Sequence, residues 1–498
     1  MSMDLHALVY CLFVVHFLAM ALMGLYGLYR LRQILLWLRM RQGLSPPSLP
    51  FTTDCPHVLV QVPLYNERFV AARIIEAVSR LDWSQERLEI QVLDDSSDET
   101  KAIVDRGVQR LQQMGVHIYT LRRGHREGFK AGALAHGMTH SSAPFIAIFD
   151  ADFIPRPNFL RQVMPFFQNA EVGFVQARWD FLNEKDSWLT RIQAILLSAH
   201  FGVEQFLRYH RGLFMNFNGT AGVWRRSAIE SAGGWSSDTV TEDLELSFRA
   251  YLKGWKAVYL NDLLVPSELP VTVQALKHQQ KRWAKGSIQT ARKLLPSIWR
   301  SSSNFEQKLD ATMHLLGNCG WILGTIMFLT LYPALLMRSE IGPYQMLQME
   351  IPLFLCATLF LLLYFYIHES VGRNKSSFSI LCSLFLLPAF GIGIAPSVTV
   401  GILEGLRGFG GIFVRTPKIG NAFTKNIYIY SKMKINSLLV NFIFFAYSLL
   451  PVHFAIEHHT LIAIPLLFIF PLGFFLMFIS EIKLLWHSIF CASRTSSD

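Results

Sequence analysis

The feature that most constrains this chain is a series of apolar segments, each long enough to cross a lipid bilayer. A membrane-spanning helix needs about 20 mostly apolar residues. The first segment, Leu5–Tyr29, is too long and too aromatic for a cleavable signal peptide, and no small-residue cleavage site follows it. We therefore interpret residues 1–30 as a retained transmembrane anchor. Further candidate segments lie in the second half of the chain: Ala311–Met337, Ile351–Ile367, Leu438–Ile456 and Leu461–Ile479.

Basic residues between these segments predict the orientation, because cytoplasmic loops of membrane proteins are enriched in lysine and arginine. Arginines follow the anchor, and residues 372–375 and 407–434 are also basic, so we expect all three regions to be cytoplasmic. The apolar stretch Phe378–Leu403 then cannot cross once. We expect residues 378–435 to form a re-entrant or interfacial segment, which its prolines and glycines favour. The alternative is one kinked span, which would place residues 407–434 on the far side.

The remaining segments give the rest of the domain plan. Residues 311–369 and 436–490 are each expected to supply two transmembrane helices, so the chain is predicted to be a multi-pass protein surrounded by membrane lipids. Location in a bacterial inner membrane and location in a Golgi or plasma membrane predict the same sequence features. Residues 54–300 have the mixed composition of a soluble region, expected to be cytoplasmic. The formal net charge of +10 is attributed to the basic cytoplasmic loops, and no nucleic-acid partner is expected because no such module is visible.

Strands and helices alternate in the soluble region. Residues 57–67, 88–100, 116–123 and 144–157 each contain a short apolar run that ends in polar or turn-forming residues, as buried strands do, and residues 68–81 have helical spacing. This alternation predicts an α/β fold with a largely parallel sheet covered on both faces. Ligands bind such sheets outside the carboxyl ends of the strands. The polar residues expected to meet along that edge are Asn66, Glu67, Asp94, Asp95, Asp150 and Asp152.

Two pairs of acids at predicted strand ends are candidate ligand-binding residues. Asp150 and Asp152 flank one alanine after an apolar run, and such carboxylates, completed by substrate phosphates, suit Mg²⁺ or Mn²⁺. Asp95, in a second acidic strand end, is placed to accept hydrogen bonds from a nucleobase or ribose. Both functions compete with simpler ones, since two nearby acids are common and the residues after Asp95 are good helix caps.

Charged residues at two predicted helix starts are candidates for phosphate binding and proton transfer. Lys130, among small residues, can reach a phosphate, although a lysine in such a position is usually solvated. Glu242 and Asp243 lie in the first turn of a predicted helix, where acids are expected simply to offset the helix dipole. The functional interpretation makes Asp243 a general base that takes a proton from an attacking hydroxyl group.

The segment "QQKRW" stands where the soluble region meets the membrane. On a helix, Gln279 and Arg282 share a face and Trp283 lies beside it. Arginine can clamp a diphosphate and tryptophan offers a flat surface to a sugar ring. The same residues also suit an amphipathic helix with a Trp–Arg belt at the membrane surface, and their chemistry alone does not separate the two interpretations.

Taken in order, Asp95, Asp150-x-Asp152, Thr241-Glu242-Asp243 and Gln279-x-x-Arg282-Trp283 resemble the motifs of processive family 2 glycosyltransferases, which include cellulose, chitin and hyaluronan synthases. The stretches "VQARWDFLN", "FNGTAGVWRR", "GGWSSDTVTEDLEL" and "LKGWKAVYL" are most similar to the cellulose synthase-like A type, the β-mannan and glucomannan synthases. The resemblance covers residues 58–291. A further stretch, "FVRTPKIG", resembles the loop that covers the donor in these synthases.

The resemblance implies a GT-A catalytic domain, with a Rossmann-like mixed α/β sheet, combined with an α-helical transmembrane domain. It implies inverting, metal-dependent transfer of a hexose from a nucleotide-diphospho-sugar to a growing β-linked glycan acceptor. The donor is left open among GDP-mannose, GDP-glucose and UDP-glucose, and the oligomeric state is also open. The expected cofactor is a divalent cation, Mg²⁺ or Mn²⁺.

The same resemblance implies individual roles. Asp243 is the catalytic base, with Glu242 beside it. The nucleotide sugar is expected to bind at Asp95, Lys130, Asp150, Gln279, Arg282 and Trp283. The metal is expected at Asp150 and Asp152. The acceptor is expected at Trp283, Asn218, Gly219 and Thr220. The gating loop is expected to close over the donor with Phe413, Thr416 and Lys418.

Two other functions compete with a polymer synthase. The sequence shows one helix before the catalytic region and no regulatory domain after the last one, unlike the cellulose synthases, so transfer is better supported than translocation. A lipid glycosyltransferase, acting on ceramide, diacylglycerol or a polyprenyl carrier, would share the acidic motifs and "QQKRW". A membrane transporter would need ionisable residues inside its spans. Candidates for such a path are His16, Asp310, His314, Asn318 and Glu404.

Overall fold

The computed structural model describes residues 3–42, 55–411, 416, 418, 420 and 435–492. A seven-stranded sheet with its covering helices occupies residues 58–300, and long apolar helices make up most of the rest. The strands are β1 Val58–Leu64, β2 Leu88–Asp94, β3 Ile118–Leu121, β4 Phe145–Ile148, β5 Val172–Phe181, β6 Gly222–Arg225 and β7 Lys256–Ser267.

The sheet has the order β3-β2-β1-β4-β6-β5-β7. The first four neighbours pair in parallel, as the alternation of strands and helices predicted. Strand β6 runs antiparallel to both β4 and β5, while β5 and β7 are parallel, so the sheet is mixed. The carboxyl ends of β1, β2 and β4 therefore lie at one edge, as the sequence predicted.

Helices cover both faces of this sheet. They are α2 Ala71–Ser79, α3 Thr100–Gln113, α4 Phe129–Thr139, α5 Phe159–Val163, α6 Trp188–Ala199, α7 Phe206–His210, α8 Arg226–Ser231, α9 Glu242–Leu252 and α10 Val273–Arg300. Because side chains alternate across a strand, β4 sends Phe145 and Ala147 into one hydrophobic core and Ile146 and Ile148 into another.

The second of these cores continues into the membrane helices. It joins Ile146 of the sheet to Trp37 near the end of the first helix and to Ile394 and Met477 far along the chain. The helices beyond the sheet domain are α1 Met3–Met40, α11 Phe305–Leu316, α12 Gly320–Ile341, α13 Pro343–Phe354, α14 Phe360–Ile367, α15 Ser377–Arg407, α16 Ile435–Glu457, α17 Ile464–Leu467 and α18 Ile469–Ala492. A π-helical turn at Leu355–Leu359 joins α13 to α14, and another at His368–Gly372 extends the end of α14.

Within the described residues, six helical stretches are long and apolar enough to cross a membrane. They are Asp4–Met40, Phe305–Met337, Gln348–Gly372, Ser377–Arg407, Ser437–Glu457 and Leu461–Trp486. The first two run antiparallel and share polar contacts, since His16 Nδ1 lies 3.0 Å from Thr330 Oγ1 and Tyr29 donates to Asp310 at 2.6 Å. These six helices fit a transmembrane domain.

Helix α15 is continuous through two prolines, and the contacts at its two ends bear on its position. Just before its start, Arg373 pairs with Glu184 of the sheet domain at 2.5 Å. Near its other end, Arg292 of α10 donates to the carbonyl oxygen of Gly405 at 2.8 Å. Both ends of α15 therefore lie against the catalytic side of the molecule. The expected turn back within the segment is replaced by one helix, and its interfacial position stays a prediction.

Glycines allow α15 to approach α10 closely. A Cβ atom at Gly401 would lie 2.5 Å from the carbonyl oxygen of Lys281, and one at Gly405 would lie 2.8 Å from that of Lys285. Such distances are too short for any side chain, because the neighbours are backbone atoms of a second helix that cannot shift independently. The two glycines thus set the distance between α10 and α15.

We expect Gly401→Leu to destabilise the protein, because the side chain must push α15 away from α10. Overpacking of this kind costs about 1–3 kcal/mol, so the thermal unfolding midpoint followed by tryptophan fluorescence in detergent should fall by several degrees. Gly408→Ala is the matched control, since nothing lies within 4 Å of a Cβ atom there. Equal midpoints for the two variants would show that the close approach does not limit stability.

Candidate active site

The carboxyl ends of the strands open into a large cavity of about 720 Å³ that continues between the membrane helices. This volume is typical of ligand pockets, which span about 300–1,000 Å³. The structure brings most of the predicted site residues to its wall: Asp95, Lys130, Asp150, Asp152, Asn218, Gly219, Glu242, Asp243, Gln279, Arg282, Trp283, Thr416 and Lys418. Thr220 lies behind the wall, fully buried, and Phe413 lies outside the described residues.

Lysines neutralise the two carboxylates at the end of β4. Lys130 Nζ lies 2.5 Å from Asp150 Oδ1 and also donates to the carbonyl oxygen of Gly219 at 2.8 Å. Lys418 Nζ lies 2.7 Å from Asp152 Oδ2. Thr220 contributes from behind, because its hydroxyl accepts the backbone N–H of Asp150 at 2.9 Å. Because lysine ammonium groups balance both carboxylates, a metal ion can take the place of the lysines as their positively charged partner.

This pair of carboxylates fits a divalent cation that takes its remaining ligands from substrate and water. No group of three or more His, Cys, Asp or Glu side chains placed for a metal occurs in the described ranges. Mg²⁺ is usually held in this way, by one or two carboxylates plus substrate phosphates and water. The donor set of Asp150 and Asp152 is therefore suited to a metal–diphosphate and unsuited to a closed all-protein cage.

Lys130 lies at the start of α4, where the chain turns tightly. Gly128 and Phe129 both have positive φ angles, of 67° and 49°, and this turn directs the lysine towards the carboxylates. Burial alone lowers the pKa of Lys130, but the negative charges of Asp150 and Glu242 outweigh it and raise the pKa above its ordinary value. Lys130 is therefore a fixed positive charge inside the cavity.

Asp243 is held in the first turn of α9 and differs from an ordinary surface acid. Its Oδ1 accepts the backbone N–H of Leu244 at 2.8 Å. Burial, assisted by the neighbouring charge of Glu242, raises the pKa of Asp243 to about 7, against the opposing effect of Lys130 and Arg282. A carboxylate with a pKa near the working pH is well matched to general base catalysis.

Glycine at position 219 keeps space open beside this carboxylate. Gly219 has a positive φ of 81°, and a Cβ atom there would lie 2.7 Å from Asp243 Oδ2. Any other residue would be strained in its backbone and would collide with the base. The stretch "FNGT" thus places Gly219 directly against Asp243, with Asn218 next to it in the chain, which suits an acceptor-binding cradle.

The predicted "QQKRW" helix is part of the first half of α10, which lies close to α9. A Cβ atom at Gly286 would lie 2.3 Å from Thr241 Oγ1, so the two helices nearly touch. This packing brings Gln279, Arg282 and Trp283 to the cavity wall beside Asp243. Burial lowers the pKa of Arg282, while the charges of Glu242 and Asp243 oppose that change.

The end of the cavity near Asp95 also contains Tyr65 and Arg126, which the sequence analysis did not name as site residues. Asp95 is held by Arg123, whose Nε lies 3.0 Å from its Oδ1. The Arg126 guanidinium lies 3.3 Å from the centre of the Tyr65 ring, and both line the cavity together with Glu67. The aromatic ring, arginine and acids form a pocket suited to a nucleobase. Tyr65 directly follows β1 in "PLYNE", so its position at a strand end could have identified it as a candidate site residue.

The other end of the cavity reaches the membrane helices. Its wall there includes Tyr26, Trp321, Met327 and Phe470. Of the residues considered for a transport path, His314 and Asn318 line the cavity. Asp310 pairs with Arg208 at 3.2 Å and Glu404 pairs with Lys281 at 2.6 Å, so these two stabilise contacts between elements. His16 is bound to Thr330, as described above.

Three comparisons identify the relatives of this chain. Residues 56–286 match the family described as "Glycosyltransferase like family 2". Glucomannan 4-beta-mannosyltransferase 1 of Oryza sativa subsp. japonica is 38% identical over 382 residues, which span 74% of this chain and 71% of the relative. Glucomannan 4-beta-mannosyltransferase 7 of Arabidopsis thaliana is 45% identical over 253 residues, 50% of this chain and 46% of the relative.

A solved structure shows the same fold. Mannosyltransferase PcManGT from Pyrobaculum calidifontis, in complex with GDP-Man and Mn²⁺, aligns with a TM-score of 0.50 and 18% identity over 79% of this chain and 99% of that chain. The sheet domain therefore has the GT-A fold, and the protein is a glycosyltransferase of family 2. Within that class, the chain belongs to the cellulose synthase-like A family of glucomannan 4-beta-mannosyltransferases.

We expect glycosyl transfer to fall on the acid side of about pH 7, because a general base must be deprotonated and the pKa of Asp243 is about 7. Below that pH, kcat/KM should drop about tenfold per pH unit. Glu242→Gln removes a neighbouring negative charge, which lowers the pKa of Asp243 and should move the acid limb to lower pH. The surface variant Glu230→Gln should leave the profile unchanged. If the fall of kcat/KM at low pH is the same in Glu242→Gln as in wild type, a group other than Asp243 causes it.

Proposed function

We propose that this protein is a membrane-embedded inverting glycosyltransferase that extends a β-linked polysaccharide with a hexose from a nucleotide-diphospho-sugar. The observation that carries this proposal is the single cavity in which Asp243 stands between a donor-binding end and an opening towards the membrane helices. The names of the relatives favour mannose and a β-1,4-mannan or glucomannan product. GDP-mannose is the preferred donor, with GDP-glucose and UDP-glucose as competitors.

The donor would lie along the strand ends. Its base would occupy the pocket around Asp95 and Tyr65, and its diphosphate would reach Lys130 and Arg282, whose positive charges face it from two sides. Asp150 and Asp152 would hold a divalent cation such as Mn²⁺ or Mg²⁺, which would supply positive charge to stabilise the diphosphate leaving group. Lys418, with Thr416, would cover the donor from the gating segment.

Transfer then requires one proton movement and one exchange of bonds. Asp243 takes the proton of an acceptor hydroxyl, whose oxygen attacks the anomeric carbon of the donor sugar and forms the new glycosidic bond. The bond between that carbon and the diphosphate oxygen breaks, and the nucleoside diphosphate leaves with its electron pair. Arg282 stabilises the charge that grows on it. Attack from the face opposite the leaving group inverts the configuration, which gives a β linkage from an α-linked donor.

The shape of the cavity supports a polymeric acceptor over a lipid. The same cavity is lined by Trp283 and Asn218 and by Trp321 and Met327 of the apolar helices. A growing glycan can occupy that cavity as it leaves the catalytic residues. The catalytic domain would face the cytoplasm, where nucleotide sugars are supplied, and the protein would be an integral multi-pass enzyme.

We further propose that α15 lies at the cytoplasmic interface and does not cross the membrane. Contacts at both of its ends with the catalytic side support this position, as does Lys418, which lies beyond α15 and reaches Asp152. A crossing helix would carry Lys418 away from the donor site. The interfacial position leaves it beside Asp152.

We expect purified protein in nanodiscs with Mn²⁺ to incorporate radiolabel from one of GDP-mannose, GDP-glucose and UDP-glucose into ethanol-insoluble polymer. Asp243→Asn should lower kcat by about 10²–10⁴-fold, the usual contribution of a positioned base. Asp262→Asn, an exposed acid outside the cavity, is the control and should keep full activity. Label found only in extractable lipid would refute the polymer product while keeping the transfer chemistry.

Cysteine labelling from one side of the membrane tests the position of α15. In a cysteine-free background, Asn374→Cys before α15 and Phe409→Cys after it should react with the same membrane-impermeant maleimide as Met114→Cys of the catalytic domain; all three positions are exposed. Glu340→Cys, between the second and third apolar helices, should react only from the other side. If Phe409→Cys reacts together with Glu340→Cys, α15 crosses the membrane.

A further inference from the structure

A buried polar cluster forms the cavity wall between the catalytic residues and the membrane helices. It comes from a π-helical turn, His200–Gln205, that separates α6 from α7. Turns of this kind interrupt helices mostly at functional sites. Members of the cluster that line the cavity are Arg30, His200, Glu204, Arg208, Asn216 and Asn218. The mechanism proposed above uses none of His200, Glu204 and Arg208.

Hydrogen bonds connect this cluster to Asn218, the chain neighbour of a residue that packs against Asp243. His200 Nε2 lies 3.4 Å from Asn218 Nδ2, and Asn218 is followed by Gly219, the residue packed against Asp243. Gln205 donates to Asn218 Oδ1 at 2.8 Å and fixes the orientation of that amide. Asn218 and Gly219 therefore stand between His200 and Asp243.

Glu204 fixes the imidazole of His200. Its Oε2 lies 3.3 Å from His200 Nδ1 and 3.2 Å from an Arg208 nitrogen, while Oε1 pairs with Arg30. Burial raises the pKa of Glu204, but the positive charge of Arg30, the hydrogen bond with His200 and the positive charge of Arg208 outweigh this and hold it well below the ordinary value. The carboxylate can only accept, so Nδ1 of His200 donates to it, and Nε2, which faces the amide nitrogen of Asn218, is an acceptor.

The cost of this cluster argues for a role in binding. Arg30 and Arg208 pair with Glu204, and Arg208 also pairs with Asp310. The hydration that these charges lose is repaid only in part by their mutual attraction, and well-packed apolar side chains would join the helices as stably. The wall beside them carries the aromatic rings of Tyr26, Trp179, Trp283 and Trp321. Aromatic faces next to fixed donors and acceptors suit a sugar chain, which has apolar ring faces and hydroxyl edges.

We propose that His200 and Asn218 form an acceptor subsite that binds hydroxyl groups of the sugar units next to the growing end of the glycan. Glu204 is the positioning residue that holds the imidazole for this contact. The 3.4 Å contact between His200 and Asn218 is at the long limit of a hydrogen bond. A sugar hydroxyl that donates to His200 Nε2 and accepts from the Asn218 amide replaces this contact with two stronger hydrogen bonds. This assignment rests on the proposed polysaccharide synthase function.

The test measures acceptor binding separately from donor binding. Full-length protein in nanodiscs is saturated with GDP and Mn²⁺, and binding of a β-1,4-linked manno-oligosaccharide is followed by calorimetry. Loss of about one hydrogen bond should weaken oligosaccharide binding about tenfold in His200→Ala. GDP binding should stay within twofold of wild type. His200→Gln retains a group that donates and accepts, so it should recover most of the affinity.

Two further variants separate positioning from folding. Glu204→Gln should raise the acceptor KM severalfold, with the donor KM unchanged, because the imidazole loses its fixed tautomer. His140→Ala, an exposed histidine at the end of α4 outside the cavity, is the matched control and should change neither constant. Thermal unfolding midpoints identify any variant that fails to fold, in which case His200→Gln alone supplies the comparison.

The outcomes distinguish this subsite from the proposed function. Equal oligosaccharide affinities for wild type and His200→Ala, with transfer intact, would overturn the subsite and leave the synthase standing. Parallel losses of GDP and oligosaccharide binding would show a merely structural role. A wild-type protein that transfers sugar to lipid and binds no oligosaccharide would overturn both the subsite and the polymer product, while glycosyl transfer itself would stand.

Discussion

The packing of α10 on both of its sides is the constraint on which the rest of the structure depends. On one side Gly286 lets α10 meet Thr241 at the start of α9, and on the other Gly401 and Gly405 let α15 meet α10. Helix α10, which carries Arg282 and Trp283, thereby lies between the start of α9, which carries Asp243, and the apolar helix α15. A shift of α10 by the width of one methyl group would change the distance between Arg282 and Asp243, so the chemistry and the membrane contacts cannot be adjusted independently.

Charge balance inside the cavity explains how such a site can fold before its ligand arrives. Asp150 and Asp152 are each covered by a lysine, Lys130 from α4 and Lys418 from beyond α15. Uncompensated carboxylates in this position would be costly. A donor diphosphate brings new acceptors for both ammonium groups, and a divalent cation brings a replacement charge for the carboxylates. When donor and metal bind, the lysines and carboxylates exchange each other for new partners of opposite charge. Lys418 takes part in that exchange from beyond α15.

The sequence predicted those parts of the molecule that depend on local patterns. Apolar length predicted five of the six described helical stretches that are long and apolar enough to cross a membrane, and alternating strands with acids at their ends predicted strands β1 to β4 and the edge where Asp95, Asp150 and Asp152 lie. Strands β5, β6 and β7 were not predicted, and the four residues of the antiparallel strand β6 carry no signal apart from their partners. Whether Asp243 caps a helix or acts as a base could not be decided locally, since its raised pKa comes from burial and from groups brought by other elements.

His200 and Glu204 show the limit of such reasoning most clearly. In the sequence they stand in an ordinary helical run with spacing i and i+4, typical of a surface pair. Their burial depends on α1, a helix of 38 residues. At 1.5 Å per residue it is about 57 Å long, almost twice the hydrocarbon thickness of a bilayer.

The excess length carries Arg30 to Glu204 and Trp37 into the core beneath the sheet. The first membrane helix is thus also a wall of the catalytic cavity. Because one hydrophobic core runs through sheet and membrane helices alike, the enzyme holds its acceptor path in a fixed position relative to its base, and relative motion of the two parts is not the expected behaviour.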